Sequence, residues 1–524
     1  MTSAAATTVI RNGTVVDGTG AEPYDADVLV KDGRIEAIGD IGAADEELDA
    51  TGLCVAPGFI DIHSHSDYVL LVDPRAVSAI HQGVTTEVVG NCGHGCFPIA
   101  DPALAARAIY GHSDAVPVTW KTADGYFERL EDARPAVNVL SLVPNGQLRL
   151  AVVGLEDRPA TPEELQRMTR LLEEGLEQGA WGYSTGLEYA QERGATEEEL
   201  TALAGVAARR GGLYATHTRR RDAGAAEAVE EAVRTSRNAG ARLQVSHLIP
   251  RSGVDEGRRC LAVLEPALAE GLDVEFDMHT RLYGTTFLQA ALPPSVLAEP
   301  PERQAVLLRE RGTRDAVASY ESILSAGRDW SRIVLLDNPV HPQYARRDIA
   351  SIATERGEQP VDTICELLAD ALPDPARLMV ISHCHTEVQQ REAFAHPLCV
   401  PGSDATTLAP DGPLAGSTFH GAYTWAAWYL RFTRKERLLS LAEAVRRLTA
   451  APAQRLGLRD RGVLRRGAAA DVVVFDADAV TERGTTFEPN QVATGVRDVL
   501  VNGVFTLRDG ALTGFRAGSV LRRS

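Results

Sequence analysis

The sequence predicts an α/β protein: a (β/α)8 TIM-like barrel with a small β-sandwich formed by both chain ends and an inserted lid segment. Short apolar runs alternate with helical stretches through the middle of the chain, which is typical of βα units around a parallel sheet. Both ends instead carry strand–turn–strand signals. The 524 residues are enough for one large barrel with an appendage.

The middle of the chain contains eight strand candidates, the number that such a barrel requires. They end near His63, Gly90, Pro144, Ser184, His217, His247, Asp277 and Asp404. A flavodoxin-like sheet is the alternative, but it gives no reason for two β-rich ends. We therefore place the barrel over residues 58–457, with an insertion at about 285–345 that contains two Pro-Pro pairs.

The chain ends read as hairpins. Thr8–Asp17 and Ala26–Gly33 combine β-branched residues with Asn-Gly and Asp-Gly turns, which favour two-residue hairpin loops. The same pattern returns in Ala470–Asp476 and Val499–Phe505. Residues 1–57 and 458–524 are therefore predicted to form the β-sandwich together.

Composition limits the partners. The 72 acidic and 53 basic residues give a net charge of −19, which argues against binding to nucleic acid or anionic membranes. Seven scattered cysteines suit a reducing compartment. The first 20 residues lack the pattern of an export signal, and no apolar run is long enough to span a membrane. We expect a cytoplasmic enzyme acting on a small molecule; homo-oligomerisation stays open.

Two histidines follow the first predicted barrel strand. In Gly58–Asp67 the apolar Phe-Ile run leads directly to His63 and His65. Side chains two residues apart on a strand point to the same side, so both imidazoles can reach one point. Imidazole is a preferred ligand of zinc and its neighbours among the metals. The pair therefore indicates a metal site.

Four further candidate ligands stand at the ends of other predicted strands: Cys92, His217, His247 and Asp404. Barrel enzymes carry their chemistry at these carboxyl ends. Each residue alone is more commonly an ordinary buried side chain. Together the thiolate, imidazoles and carboxylate form a coherent ligand set for one or two zinc ions.

These motifs resemble the amidohydrolase superfamily and, within it, most resemble the N-acyl-D-amino-acid deacylases (D-aminoacylases). The resemblance is carried by Ala56–His65, Val84–Gly93, Gly182–Tyr189, Val245–His247, Gly402–Asp404, Gly457–Gly462 and Ala469–Asp476. It implies one tightly held zinc on Cys92, His217 and His247. A weaker second position would lie near His63, His65 and Asp404.

The lysines agree with this subfamily. Many binuclear relatives bridge their metals with a carboxylated lysine at a strand end, but Lys31, Lys121 and Lys435 all lie elsewhere in this chain. Cys92 is therefore the candidate for the shared ligand, as the resemblance implies. Zinc would activate a water molecule for attack on a linear amide, and Asp404 would act as general base and then acid.

Substrate recognition departs from the family pattern. The resemblance gives Tyr189 a contact with substrate, but Leu414 stands where an arginine for the substrate carboxylate is expected. Leu248 and Ile249 follow His247 where the family has a lysine. Either Arg281, with Arg219, binds the carboxylate instead, or the substrate has no free carboxylate there.

Two other functions stay open at this point. One is hydrolysis of a cyclic amide or imide, as in hydantoinases and dihydroorotases, against which the missing strand-end lysine weighs. The other is a non-enzymatic barrel that serves as a scaffold, although such proteins lose their metal ligands.

Overall fold

Strands from both chain ends lie in one nine-stranded sheet. The structure is a computed structural model that describes residues 7–106, 109–113, 115–325, 328–375 and 378–524. The N-terminal strands are β1 (Thr7–Val15), β2 (Tyr24–Lys31), β3 (Arg34–Gly39), β4 (Glu46–Asp49) and β5 (Cys54–Pro57). The C-terminal strands are β18 (Val472–Phe475), β19 (Val496–Val501), β20 (Val504–Arg508) and β21 (Ala511–Leu512). Because β5 pairs antiparallel with β18 and both halves share one apolar core, strands from the two chain ends form one β module.

Eight parallel strand positions form a ring in the middle of the chain. The segments are β6 (Phe59–Asp61), β7 (Val84–Val89), β8 (Asn138–Ser141), β9 (Val143–Pro144), β10 (Gly182–Gly186), β11 (Leu213–His217), β12 (Arg242–Val245), β13 (Val274–Met278) and β17 (Cys399–Pro401). β8 and β9 are two parts of one strand, separated by Leu142. They join the ladder β6–β7–β8 to the ladder β9–β10–β11–β12–β13–β17.

The ring closes between the segments that follow β17 and β6. The backbone N–H of Asp404 donates to the carbonyl of His63 at 2.8 Å, and the N–H of His65 donates to the carbonyl of Ala405 at 2.8 Å. The predicted barrel is thereby confirmed. Each predicted strand end lies close to the observed one, the largest difference being Asp404 against Pro401.

Helices alternate with these strands and cover the ring. They are α1 (Val69–Val72), α2 (Val77–Ile80), α3 (Pro102–Ala106), α4 (Ala123–Ala133), α5 (Asn145–Val152), α6 (Pro162–Glu177), α7 (Glu197–Arg209), α8 (Ala225–Ala239) and α9 (Val254–Ala269). After the insertion come α15 (Glu387–Ala395), α16 (His420–Lys435), α17 (Leu441–Leu448) and α18 (Ala450–Leu456). A capping box between Thr161 and Glu164 starts α6, which sets its buried Leu172 towards the core.

The insertion is a subdomain with its own sheet and core. It contains α10 (Pro294–Leu297), α11 (Pro301–Leu307), α12 (Arg311–Ser319), α13 (Ile349–Arg356) and α14 (Pro360–Ala371). Its antiparallel strands are β14 (Tyr283–Phe287), β15 (Ile333–Leu335) and β16 (Met379–His383), in the order β14–β16–β15. The subdomain therefore extends to His383, whereas the prediction ends near residue 345. Its central strand, β16, pairs with β14 and β15 but follows both in the sequence.

The last residues leave the β module and return to the barrel. The N–H of Leu521 donates to the carbonyl of Val139 at 2.7 Å, and the indole of Trp181 donates to the carbonyl of Leu521. Part of the predicted 458–524 module thus packs on the barrel. Among the described residues, no helix is long and apolar enough to cross a membrane.

Candidate metal centre and substrate pocket

The six predicted ligand residues come together at the carboxyl end of the ring. Two groups of ligand atoms each lie within 4.8 Å of one another. One group contains His63, His65, Cys92 and Asp404, and the other contains Cys92, His217 and His247. Cys92 belongs to both groups, so its thiolate stands where a ligand shared between two positions has to be.

The distances fit a metal centre. Sγ of Cys92 lies 3.2 Å from Nε2 of His63 and 3.4 Å from Nε2 of His247. Oδ1 of Asp404 lies 3.3 Å from Nε2 of His65. Nδ1 of His65 and of His217 is buried without a hydrogen-bond partner among the described residues. A set of imidazoles, one thiolate and one carboxylate suits zinc in softness and number.

The surroundings of Cys92 favour the thiolate form of its side chain. Burial alone would raise the pKa of Cys92, but the neighbouring imidazoles of His63 and His247 outweigh burial and hold that pKa well below its usual value. The thiolate is the form that binds metal.

Three of the candidate ligands have an unusual backbone conformation. Cys92, His247 and Asp404 have φ values of 52°, 34° and 45°, in the left-handed region that costs a non-glycine residue about 1–3 kcal/mol. Close packing surrounds this backbone. Gly186, for example, lies so near Cys92 that a Cβ on it would be 2.0 Å from the carbonyl oxygen of Cys92. The local strain aims these side chains into the centre.

Asp277 contacts two of the candidate ligands. Its Oδ1 lies 2.9 Å from Nδ1 of His63 and accepts the N–H of His247 at 2.8 Å, while Gln244 donates to its Oδ2 at 3.1 Å. A carboxylate on the far nitrogen of a metal-binding imidazole sets the ring's orientation and tautomer. The sequence marked Asp277 as a strand end but gave it no role.

Asp277→Ala is expected to weaken zinc binding by about 10–100-fold, since the orienting bond to His63 is lost. Competition with a chelator of known affinity measures this. Asp277→Asn, which keeps the shape and one acceptor oxygen, should fall between Ala and the parent. Equal zinc affinity in all three proteins would contradict the role.

Glu188 orients a third ligand and was missed from the sequence. Its Oε2 lies 2.8 Å from Nε2 of His217, and Arg251 binds both of its carboxylate oxygens. Burial alone would raise the pKa of Glu188, but the charge of Arg251 and the bond to His217 outweigh it and lower that pKa. The position of Glu188 beside Tyr189 in a strand-end motif was the signal available in the sequence. No sequence feature marked Arg251.

The predicted substrate residues differ in their positions. Tyr189 is half-buried and lines the pocket, with its ring centroid 5.0 Å from that of His217. Arg281 donates to the carbonyl of Ser403 at 2.7 Å and to Oδ2 of Asp404 at 3.2 Å, so it holds Asp404 in place.

Arg219 does not line the pocket. All three of its guanidinium nitrogens are bonded, to Glu231 and to the carbonyls of Arg193 and Ala195. This corrects its predicted part in carboxylate binding, because its charge is neutralised away from the centre. Leu414 is buried in an apolar cluster with Leu408 and offers no replacement.

Two cavities adjoin the centre. The smaller, about 40 Å³, is lined by Asp404 and His247 together with polar groups, and the larger, about 620 Å³, is mostly apolar. They share the walls Tyr110, Tyr189, Thr286, Ile323 and Phe419. The reacting groups therefore face a small polar space on one side and a large apolar chamber on the other.

Comparison with known proteins agrees with this architecture. The model of the amidohydrolase family matches residues 46–507. The chain is 35% identical to the N-acyl-D-glutamate deacylase of Alcaligenes xylosoxydans xylosoxydans over 98% of this chain and 96% of that protein. It is 32% identical to the D-aminoacylase of the same organism over 98% and 97%.

Solved structures give the same result. The N-acyl-D-glutamate deacylase of Bordetella bronchiseptica, complexed with zinc and a phosphonate mimic of the tetrahedral intermediate, has a TM-score of 0.82 at 33% identity, covering 99% of this chain and 100% of that one. A D-aminoacylase structure has a TM-score of 0.81 at 30% identity, covering 98% and 99%. The chain thus belongs to the amidohydrolase family and, within it, is similar to the N-acyl-D-amino-acid deacylases.

Proposed function

We propose that this protein is a zinc-dependent amidohydrolase that cleaves the linear amide of an N-acyl-D-amino acid or a related N-acyl compound with water. The observation that carries the proposal is the Cys92 thiolate shared by both ligand groups at the mouth of the barrel. The relatives named as N-acyl-D-glutamate deacylase and D-aminoacylase, which match nearly the whole chain, support the substrate class.

We assign the tight zinc position to Cys92, His217 and His247, and a weaker second position to His63, His65 and Asp404 with Cys92 shared. When bound there, zinc polarises the scissile carbonyl and lowers the pKa of a water molecule towards about 7. The orienting bonds of Asp277 and Glu188 set the imidazoles for this task.

Asp404 is the residue that moves the proton. Its carboxylate lies beside the ligand imidazoles and would take one proton from the attacking water as the C–O bond forms. It would return that proton to the amide nitrogen as the C–N bond breaks, releasing a carboxylate and an amine. Arg281 positions Asp404 through its side chain and backbone.

Tyr189 stands over the centre on the substrate side. Its side chain lines both cavities, and desolvation raises the pKa of its phenol well above the usual value, so the phenol stays protonated and can donate a hydrogen bond. We assign it contact with the substrate.

The alternatives receive no support from the structure. Similarity to D-hydantoinase, with a TM-score of 0.57 at 16% identity, shows the fold alone. Lys31 lies in β2, Lys121 precedes α4 and Lys435 ends α16, so none can bridge metals as in cyclic-amide hydrolases. A non-enzymatic scaffold gives no reason for six assembled ligands.

We place the chemistry in the barrel, residues 58–457, and assign no chemical step to the modules 1–57 and 458–524. A cytoplasmic location is proposed because all seven cysteines are buried free thiols. The partner is a small-molecule amide, and formation of a homo-oligomer stays a prediction.

Amine release from N-acetyl D- and L-amino acids by the zinc-loaded protein tests the proposal. Release from D-compounds with little from their L-enantiomers is the expected result. Absence of release from every linear amide, with one equivalent of zinc bound, would contradict it.

A further inference from the structure

A buried arginine beside the metal centre lacks an anionic partner. Arg221 follows β11 and is 7% exposed. Its Nη2 donates to the carbonyls of His247 and Ile249, at 2.5 and 3.1 Å. Its Nε is buried without a partner, and no carboxylate among the described residues lies within 4.0 Å of its guanidinium.

The cavity of about 40 Å³ beside Arg221 offers several unused donors. Arg251 and Thr285 also line it, and Nε of Arg251 and Oγ1 of Thr285 are likewise buried without partners. Arg251 is already neutralised by Glu188, whereas Arg221 is not. Burial lowers the pKa of Arg221, and repulsion from the positive charge of Arg251 lowers it further.

The cavity also has room for a small anion. Its volume of about 40 Å³ exceeds the roughly 10–15 Å³ that one water molecule needs. A buried cation without a counter-ion is unfavourable, and a carboxylate that fits an arginine fork relieves it. His247 and Asp404 line the same cavity, so a bound carboxylate would lie next to the reacting amide.

We propose that this cavity binds the free carboxylate of the N-acyl amino acid and that Arg221 is the specificity-determining charge. Arg281 and Arg219 are not free for this task, because Arg281 binds Asp404 and Arg219 binds Glu231. The inference rests on the proposed function and names how that same site selects its substrate.

Arg221→Gln tests it with matched substrates, an N-acetyl-D-amino acid and its carboxamide. The ratio of the two kcat/KM values should fall by about 100-fold, mainly through KM of the acid, since a buried charge-assisted contact is lost. Arg221→Lys, which keeps the charge, should recover part of the ratio. Arg220→Gln is the control, because Arg220 is 56% exposed and its acidic neighbour Glu321 lies 3.8 Å away.

Calorimetric binding of the free D-amino acid product gives a readout independent of turnover. Binding should weaken in Arg221→Gln and not in Arg220→Gln, with zinc content unchanged. Equal substrate ratios and equal product affinity in the parent, Arg221→Gln and Arg221→Lys would overturn the carboxylate site. If the parent cleaves neither substrate, the proposed function fails instead.

The larger cavity supports a second inference independently. Its volume of about 620 Å³ lies within the range of about 300–1,000 Å³ typical of sites for drug-sized ligands. Apolar side chains from the barrel loops and the insertion line it: Ile109, Leu150, Phe287, Leu292, Leu372 and Met379. An acetyl group would leave this chamber almost empty.

We propose that the chamber binds a long or bulky apolar acyl group, again on the premise of the proposed function. The chamber shares the walls Tyr110 and Tyr189 with the small cavity that His247 and Asp404 line, so a chain that extends from an amide at the centre can enter the chamber. The insertion supplies much of the apolar surface of the chamber, and a barrel without an insertion would lack this surface.

Acyl chain length is the variable to test. On one D-amino acid, kcat/KM should rise by about 2–4-fold per methylene from acetyl through hexanoyl to decanoyl, as apolar surface is buried. Gly416→Leu should reduce turnover of decanoyl relative to acetyl compounds, because Gly416 lines the chamber and a Cβ there meets open space. Gly312→Leu is the control, with equal open space away from the chamber.

A rate that falls beyond acetyl, or an unchanged decanoyl preference in Gly416→Leu, would overturn this assignment. A rise only when the amino-acid side chain is enlarged would place that side chain in the chamber instead. Loss of turnover for all compounds alike would point to the proposed function and not to the acyl site.

Discussion

Cys92→Ala should abolish both tight zinc binding and turnover. The thiolate belongs to both ligand groups, so its removal leaves two imidazoles at one position and breaks the bridge to the other. Because the metal supplies several kcal/mol of transition-state stabilisation, kcat/KM should fall by more than about 10³-fold. Metal content after gel filtration, measured beside amide hydrolysis, checks both effects.

Cys96→Ala is the matched control, a buried thiol four residues on that belongs to neither ligand group. It should keep one equivalent of zinc and most of the activity. Turnover that survives Cys92→Ala would remove the shared thiolate from the mechanism and with it the assigned centre.

Asp404→Asn should separate chemistry from metal binding. Asparagine preserves the shape and the neighbour contacts of Arg281 but cannot accept the proton, so kcat should fall by about 10²–10⁴-fold. The tight position does not include Asp404 and should retain one equivalent of zinc. Single-turnover kinetics with zinc analysis on the same sample measures the two quantities.

Asp411→Asn, at a side chain that is 71% exposed and bound to Arg75, should leave kcat unchanged. Loss of all zinc in Asp404→Asn would make Asp404 a primary ligand, and an unchanged kcat would remove it as the base.

Much of the barrel was predictable because its strands are buried on both faces. Such strands commonly read as apolar runs, although Val84–Val89 is buried at every residue with Thr85, Thr86 and Glu87 in its middle. Polar residues at or just after the ends of these strands, such as His217 at the end of Leu213–His217, stand out against them. The six ligand candidates were found by this contrast.

The remaining features depend on contacts between distant segments. The bond from Arg281 to Asp404 spans 123 residues, and that from Arg221 to the His247 carbonyl spans 26. No local pattern distinguishes these arginines from Arg219, whose three guanidinium nitrogens bind groups away from the pocket. The predicted insertion, about 285–345, does not include β16, because this strand lies between β14 and β15 in the sheet but far along the chain from both.

The closing bonds of the ring fix the order in which the site is completed. During synthesis, Cys92, His217 and His247 emerge long before Asp404, which reaches His63 only when β17 docks. Joining segments about 340 residues apart is late and entropically costly, whereas a bound metal stabilises the parts it links. On the proposed assignment, the three residues of the tight zinc position all precede Asp404 in the chain, so the residue that transfers the proton would be the last of the site to be placed.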